Sequence, residues 1–416
     1  INPSQVELGM FIHKLEGSWF KHPFWKSRFL LEDDATLDDL RDSDVCAVVI
    51  DLSKGRDIAP SQPAEIPQTR LSRYVRPDRG KSVQRRVFVP PAPVQTQAVS
   101  PQTFTREFGQ ARSAATRARK VVSRVFLEAR LGKSVDANEV EPVIEEIFAS
   151  VQRNPHAFNG LMRCKRDAEH VYRHALACSA LMISLARRMK FSPAQIREAG
   201  MAGLLFDVGV SHLPVGDDRG GDDYRALPLE VRSQGYNFLI ASGIPEKIAL
   251  VALQHHERAD GSGYPNRLTG VKISPLARMA AVCDAYDLLV SGAPGVAPLD
   301  PADAVQRLVA SSGQFDPETL LALMETVGAY PVGSFVELRS KRLAMVVDQD
   351  PADTSRPKVR VFWSLALGKK VRQTEIRLAE CYGEDEIVGI ANLDMFTDEE
   401  AADLRQRLLE ASVREN

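Results

Sequence analysis

The chain has 416 residues, of which 44% are hydrophobic, and this size and composition predict a globular protein of two or three domains. Its 53 basic and 55 acidic residues give a formal net charge of -2, which argues against a nucleic-acid-binding protein because no global positive field is present. Five scattered cysteines without a CxxC pair argue against a disulfide framework and favour a reducing cytoplasm, and the richest apolar run, 175–186, is too short for a membrane span.

The first 58 residues contain three strand-like patterns and one polar segment of helical character, which together predict a small α+β domain. The strand-like patterns cover residues 9–13, 28–31 and 45–50, and the helical segment covers residues 35–42. From 59 to 102, prolines, glutamines, serines and arginines replace periodic apolar positions. This composition predicts a flexible linker.

Helical spacing returns over residues 104–131, where alanines, valines and phenylalanines follow one side and arginines and lysines cover the rest. The pattern leaves three interpretations open: a solvated helix face, a helix that forms a homodimer, or a basic surface for an anionic partner.

A helical domain over residues 103–330 follows from four further amphipathic or apolar segments, which cover residues 136–151, 168–189, 193–205 and 245–254. Beyond it, residues 331–416 show alternating β-branched runs at 334–338, 343–348 and 358–363. A charged helix closes the chain, opened by Thr397 and Glu400 in capping-box order. The predicted fold class is therefore mainly α, with a small α+β domain before the helices and a small β-rich extension after them.

Residues 254–265 read QHHERADGSGYP and carry the most specific chemical signal in the chain. The adjacent imidazoles of His255 and His256 offer nitrogen donors of borderline softness to a transition metal. Glycines around Asp260 and Tyr264 permit a tight backbone path. This stretch resembles the HD-GYP signature, and residues 100–330 resemble that family of helical, metal-dependent phosphodiesterases that act on cyclic di-GMP.

The first 58 residues are also similar, more loosely, to the uncharacterised domain that often precedes HD-GYP units. The segments GMFIHKLEGSW and VVIDLSKG carry this likeness.

The resemblance implies a metal centre, because a bridged pair of metals lowers the pKa of a shared water and holds the attacking and leaving oxygens of a phosphodiester. The implied ligands are His174, Asp207, His255, His256 and Asp284. Asp207 would also be the catalytic residue that bridges the metals or orients the water. The implied cofactor is a divalent metal, Fe, Mn or Zn, for which three protein ligands can suffice.

Three departures from the family pattern predict poor metal occupancy and weak catalysis. Where the family reads HDIGK, residues 206–210 read FDVGV, so Phe206 replaces an imidazole and Val210 replaces a lysine. The next family histidine aligns with Val231. Residues 291–296 also lack both arginines of the family's SDRPYR segment, which removes cations that phosphoryl transfer needs.

Two other histidines could substitute for the missing ligand. His170 lies one helical turn before His174, and His212 follows Val210 by two positions. The alternatives are packing for His170 and surface placement for His212. Asp284, in turn, could simply pair with Arg278 rather than bind metal.

The preferred hypothesis is a degenerate HD-GYP protein that works by binding, either to a diguanylate cyclase (GGDEF) domain or to cyclic di-GMP itself. The alternative is an active phosphodiesterase that yields linear pGpG or GMP, and a third possibility is a structural protein with an incidental motif. The predicted substrate-binding or partner-binding residues are Glu257, Arg258, Asp260, Gly261, Gly263, Tyr264, Pro265, Lys272 and Arg278.

Overall fold

In the computed structural model the chain divides into two units, Ile1–Val83 and Gln84–Asn416, each with its own buried apolar cluster. The structure describes residues 6–17, 29–31, 33, 34, 36, 37, 45–51, 54, 55, 100–164, 170–212, 229–292, 297–350, 352–381 and 383–414. Most of the linker that we predict at 59–102 lies outside these residues.

The first unit contains a three-stranded antiparallel sheet. Its strands are β1 (Phe11–Gly17), β2 (Phe29–Leu30) and β3 (Val45–Ile50), in the order β2-β1-β3. One face of the sheet closes over a small apolar cluster made of Val6, Met10, Ile12, Leu31, Leu37 and Val48. Residues 36 and 37 of the predicted polar segment are helical, as is residue 34 before it, so the described part of this unit has the predicted mixed α+β character.

Ten helices precede the C-terminal sheet in the described part of the second unit. They are α1 (Phe104–Arg130), α2 (Ala137–Arg153), α3 (Ala157–Cys164), α4 (His170–Arg188), α5 (Pro193–Leu205), α6 (Leu229–Ala241), α7 (Glu246–Gln254), α8 (Pro275–Ser291), α9 (Pro301–Ala310) and α10 (Pro317–Val327). Most of these helices bury one face in a single continuous core. The predicted helical domain is confirmed.

Helix α1 uses its apolar side inside its own chain. Phe108, Ala115 and Val122 are buried, and the helix packs against α2, α3 and α4. These helices cover the apolar side of α1, which had left a homodimer open as an interpretation. The large apolar side chains that stay exposed near the C-terminal end of α1 are Leu127 and Leu131. Arg117 and Arg124 on the outer side pair with Glu146 and Glu139 of α2, which supports the interpretation of a solvated face.

The close packing of α4 and α5 is made possible by Gly203. A Cβ atom at this position would lie 2.8 Å from the carbonyl oxygen of Cys178, so any side chain would push the two helices apart. Helix α5 begins with a capping box at Ser192 and ends at Phe206. Because α5 packs closely on α4, the residues that follow α5 lie next to the buried face of α4.

A five-stranded antiparallel sheet follows the helices, as predicted for a β-rich extension. Its strands are β4 (Phe335–Leu338), β5 (Arg342–Asp348), β6 (Lys358–Ser364), β7 (Lys369–Arg377) and β8 (Ile387–Ile390), in the order β7-β6-β5-β4-β8. The closing helix α11 (Asp398–Arg414) has the predicted capping box, since the Thr397 hydroxyl accepts from Glu400 N and the Glu400 carboxylate accepts from Thr397 N. No helix among the described residues is both long enough and apolar enough to cross a membrane.

Candidate metal centre

His174 lies on the buried face of α4, held in place by an aspartate of α8. Its Nδ1–H donates to Asp287 Oδ2 at 2.7 Å. This bond leaves Nε2 as the ligand atom, and Nε2 lies 3.4 Å from Asp207 Oδ2 and 3.2 Å from Asp284 Oδ1. A carboxylate that orients the far nitrogen of a histidine is the usual support of a metal ligand.

Asp207 follows α5 and faces two imidazoles at once. Its Oδ2 is turned to His174, and its Oδ1 lies 3.5 Å from His255 Nε2. Burial raises the pKa of Asp207, but the imidazoles of His174 and His255 lower it by more, so the pKa lies well below its usual range. Asp207 is therefore an anion between two nitrogen donors, as expected of a bridging ligand.

The doubled histidine begins where α7 ends. His255 is buried, and its Nδ1–H donates to the carbonyl of Val251 at 2.9 Å, which turns Nε2 towards Asp207. The ring of His256 lies 4.0 Å from that of His255, and His256 Nδ1 is 3.7 Å from Asp284 Oδ2. The five residues predicted as metal ligands thus converge in one buried cluster.

Phe206 packs against two imidazoles of this cluster. Its ring is 3% exposed and lies 4.6 Å from the His255 ring and 5.9 Å from the His174 ring, between centroids. A phenyl ring has no lone pair to give a metal, so it fills the space between the two imidazoles with apolar surface. The predicted loss of one ligand is consistent with this position.

The remaining donors nevertheless fit a divalent cation. Two ligands that each bind one cation at about 2.1 Å lie about 3.0 to 3.4 Å apart, which is close to the separations around His174 Nε2. Both oxygens of Asp284 are buried and accept no hydrogen bond from the described residues. A buried carboxylate without such bonds is costly unless a positive charge compensates it, and a cation would do so.

Cys178 also lies beside His174, with Sγ 3.6 Å from Nε2. Burial raises the pKa of this thiol to about 12, although His174 opposes the shift. Without a metal the thiol is therefore protonated at neutral pH, and a metal bound there would have to displace its proton, because metals bind the thiolate. Asp287, although it was not predicted as part of the site, orients His174; its place three residues after Asp284 on one helix face was the available signal.

The loop after His256 is closed by Glu257. This carboxylate is 1% exposed and accepts the backbone N–H groups of Asn266 and Leu268 at 2.7 and 2.9 Å. Gly263 is needed for the same closure, since a Cβ atom there would lie 2.2 Å from Arg258 N. Glu257 is thus directed inward, where it shapes the loop instead of facing a partner.

The other residues predicted for substrate or partner binding fall into two groups. Arg258 stacks on Phe315, with its guanidinium carbon 5.2 Å from the ring centroid, and the Tyr264 ring stacks on that of His256 at 5.1 Å. Asp260 and Lys272 are exposed, whereas Gly261 and Pro265 are partly buried. Arg258 and Tyr264 therefore hold the loop against the helical domain, and the exposed side chains of Asp260 and Lys272 form the outer edge of the loop.

Arg278 forms an ion pair with Asp316, at 2.7 Å between NH1 and Oδ2. The alternative that Asp284 simply pairs with Arg278 is therefore wrong, because the arginine is directed to the N-cap of α10. This pairing also reduces the suitability of Arg278 as a phosphate ligand.

His170 does not join the histidine cluster. His170 is exposed, and its Nδ1 lies 3.1 Å from Arg173 NH2. His212 ends the short 3-10 turn Val208–His212, and its side chain lies outside the described residues, as does that of Val231 in α6. Residues 293–296 lie outside them too.

Comparison with known proteins finds relatives of both parts of the chain. A family model described as an HD domain matches residues 162–319, and a model for a domain of unknown function, DUF3391, matches residues 1–140. The chain is 36% identical to a cyclic di-GMP phosphodiesterase of Pseudomonas aeruginosa over 93% of this chain and 90% of that protein. It is 34% identical to the cyclic di-GMP phosphodiesterase response regulator RpfG of Xanthomonas campestris, over 34% of this chain and 39% of that protein. Among solved structures, an HDG"Y"P protein from Bdellovibrio bacteriovorus is 18% identical with a TM-score of 0.43, over 52% of this chain and 70% of that chain.

Proposed function

The chain belongs to the HD-GYP family, and from this premise we propose that it is a degenerate member of cyclic di-GMP signalling that works mainly by binding. Its hydrolysis of cyclic di-GMP is weak or absent in this proposal. The observation that carries the proposal is the Phe206 ring, which lies against both His174 and His255 in the position where the family has an imidazole. Loss of an imidazole from a small ligand set lowers metal affinity, since even outer residues of such sites typically contribute about 10 to 100-fold.

The residues that remain would hold one cation through His174, Asp207 and Asp284, with His255 on the other side of Asp207. A bound cation would supply Lewis acidity and a water of lowered pKa. The chain's own contribution is positioning: Asp287 fixes the His174 ring, and the Val251 carbonyl fixes that of His255. Val210 brings no charge to the transferring phosphoryl group, so transition-state stabilisation is weak.

The alternative function is a working cyclic di-GMP phosphodiesterase that produces pGpG or GMP. Two observations favour it. Four of the predicted ligands, His174, Asp207, His255 and Asp284, lie within 3.2 to 3.5 Å of a neighbouring donor, and the relative from Pseudomonas aeruginosa bears the name of such an enzyme.

The decisive experiment measures metal content and turnover on the same sample of the full chain. We expect less than one Mn, Fe or Zn per chain by elemental analysis after purification with each metal. We also expect hydrolysis of cyclic di-GMP and of bis(p-nitrophenyl) phosphate at the rate of the His256→Ala variant. Turnover by the wild type that His256→Ala abolishes would establish the alternative instead.

A gain-of-ligand variant tests the role of Phe206 directly. Phe206→His returns an imidazole between His174 and His255, so metal occupancy should rise at equal metal supply. Phe206→Leu is the matched control, because it keeps the site apolar. If Phe206→His combined with Val210→Lys and Val231→His fails to raise occupancy, the alignment that places the missing ligands is wrong.

The binding role is proposed to use the outer edge of the loop, facing a GGDEF domain. Val271 is 89% exposed and Lys272 is exposed beside it, which gives an apolar group and a charge on one short turn. Val271→Asp with Lys272→Glu should reduce recovery of a purified GGDEF domain in a pull-down. Leu367→Asp, at a 64% exposed position of the sheet region, is the control. Equal recovery by all variants would contradict docking at this edge.

A further inference from the structure

A wide cleft lies where the helices of the second unit meet its C-terminal sheet. It measures about 1270 Å³ and is lined by the start of α1, the ends of α2 and α4, and the segment that joins β5 to β6. The cleft is a different place from the histidine cluster: Arg187 in its wall follows His174 by 13 residues on α4, which corresponds to about 20 Å along a helix.

The lining of this cleft is strongly basic. It carries eight lysine or arginine side chains and three carboxylates, although the whole chain has slightly more acidic than basic residues. Four of the cations have no carboxylate at ion-pair distance within the part of the chain that the structure describes; they are Arg106, Arg187, Lys190 and Arg356. The other four cations of the lining are paired with carboxylates, so about half of the positive charge of the cleft is left without such a partner among the described residues.

Two carboxylates of the lining already form an ion pair or hydrogen bonds within the protein. Glu325 pairs with Arg188 at 2.7 Å, and Asp350 accepts the N–H groups of Ala352 and Asp353. Burial raises the pKa of Asp348 to about 6, which reduces its negative charge in mildly acidic solution. The N-terminal turn of α1 also opens on the cleft, and a helix N-terminus adds partial positive charge.

We propose that this basic cleft binds a nucleotide-sized anion with more than one phosphate group. Guanidinium groups bind phosphate oxygens with two parallel hydrogen bonds, and several cations in one cleft favour an anion with more than one negative charge over a lone carboxylate. The cleft exceeds the usual range of about 300 to 1,000 Å³ for small-molecule pockets, so a single inorganic phosphate would leave most of the cations unused. The proposal does not depend on activity at the histidine cluster.

Calorimetric titration of the full chain at low salt tests this site, with GTP and inorganic pyrophosphate as probes. The variant carries Arg106→Gln, Lys190→Gln and Arg356→Gln. Arg187 is left unchanged because its NH1 donates to the Val151 carbonyl. The matched control carries Arg112→Gln, Lys120→Gln and Arg130→Gln, three exposed positions of α1 that are absent from the cleft lining and remove the same charge.

We expect the cleft variant to bind GTP and pyrophosphate at least about tenfold more weakly than the wild type, whereas the control changes affinity less than about twofold. His256→Ala should leave the affinity for both probes unchanged, which separates this site from the histidine cluster. The absence of binding by the wild type at millimolar probe, or equal weakening in both triple variants, would overturn the proposal.

A vesicle experiment separates free phosphates from lipid headgroups. Wild type and both variants are sedimented with phosphatidylglycerol vesicles under the same salt conditions. We expect no difference between the two triple variants. Vesicle binding that only the cleft variant loses, without binding of the free probes, would reject a soluble ligand and assign the cleft to a lipid surface.

Discussion

At the scale of single residues, two hydrogen bonds determine which nitrogen each imidazole presents. Asp287 accepts from His174 Nδ1, and the Val251 carbonyl accepts from His255 Nδ1, so both Nε2 atoms face Asp207. The sequence predicted which side chains form this cluster, because their residue types and spacing resemble a family pattern, and metal binding by them stays a prediction. It could not predict the partner of Arg278, because the choice between Asp284 and Asp316 depends on how α8 meets α10 in space.

Asp287→Asn is expected to weaken metal binding about 10 to 100-fold. The amide keeps the size of the side chain but loses the charge that favours a protonated Nδ1, so Nε2 is no longer held as the ligand atom. Competition titration with a metal-sensitive dye measures the affinity. Asp303→Asn, in the first turn of α9, is the control; equal affinity of wild type and Asp287→Asn would contradict the positioning role.

Asp348→Asn should stabilise the protein at neutral pH. Burial raises the pKa of Asp348 from 3.8 to about 6, so the stability that its protonated form contributes is fully present below pH 3.8 and is lost as the pH rises through 6. The variant should therefore exceed the wild type by about 2 kcal/mol in free energy of unfolding at pH 7 and equal it below pH 4.

Urea unfolding between pH 4 and pH 8 measures this difference. Asp353→Asn provides the control, because that carboxylate is exposed and hydrogen bonds from Ser355 lower its pKa. The interpretation fails if the two aspartate variants show the same pH profile.

At the scale of the elements, polarity explains what the sequence pattern missed. Strand β7 reads KKVRQTEIR and lies at one edge of the sheet. Six of its nine residues are exposed and charged residues lie on both faces, so no clear alternation marks it. Strand β8 has only four residues and contains a glycine. The strands predicted at 334–338, 343–348 and 358–363 were recognisable because they are buried and rich in β-branched residues.

Two glycines should respond to alanine in opposite ways. Gly263→Ala places a Cβ atom 2.2 Å from Arg258 N and should destabilise the chain by about 1 to 3 kcal/mol. Gly109→Ala, on the exposed side of α1 with nothing within 4 Å of the new Cβ, should stabilise it by about 0.5 to 1 kcal/mol. Thermal unfolding of both variants checks the signs, and a neutral Gly263→Ala would show that the loop can shift.

At the scale of the whole molecule, the two units have separate apolar clusters, and this separation predicts independent stability. A chain of residues 84–416 should unfold within about 2 °C of the corresponding transition in the full chain, because each of the two described apolar clusters is made of residues of one unit. Trp363 is the only tryptophan in this shorter chain, so its fluorescence reports the second unit directly. A drop of ten degrees or more would mean that the first unit stabilises the second.

Helix α4 contacts both proposed binding sites, with His174 near its beginning and Arg187 near its end. Thermodynamic linkage makes any influence between two such sites mutual: if phosphate in the cleft changes the dissociation constant of the metal by some factor, metal changes that of phosphate by the same factor. Each ligand can be titrated in the presence and in the absence of the other. The factor by which the dissociation constant changes must then be the same for metal and for phosphate. Helix α4 would then couple the binding of a cation at one end to the binding of an anion at the other.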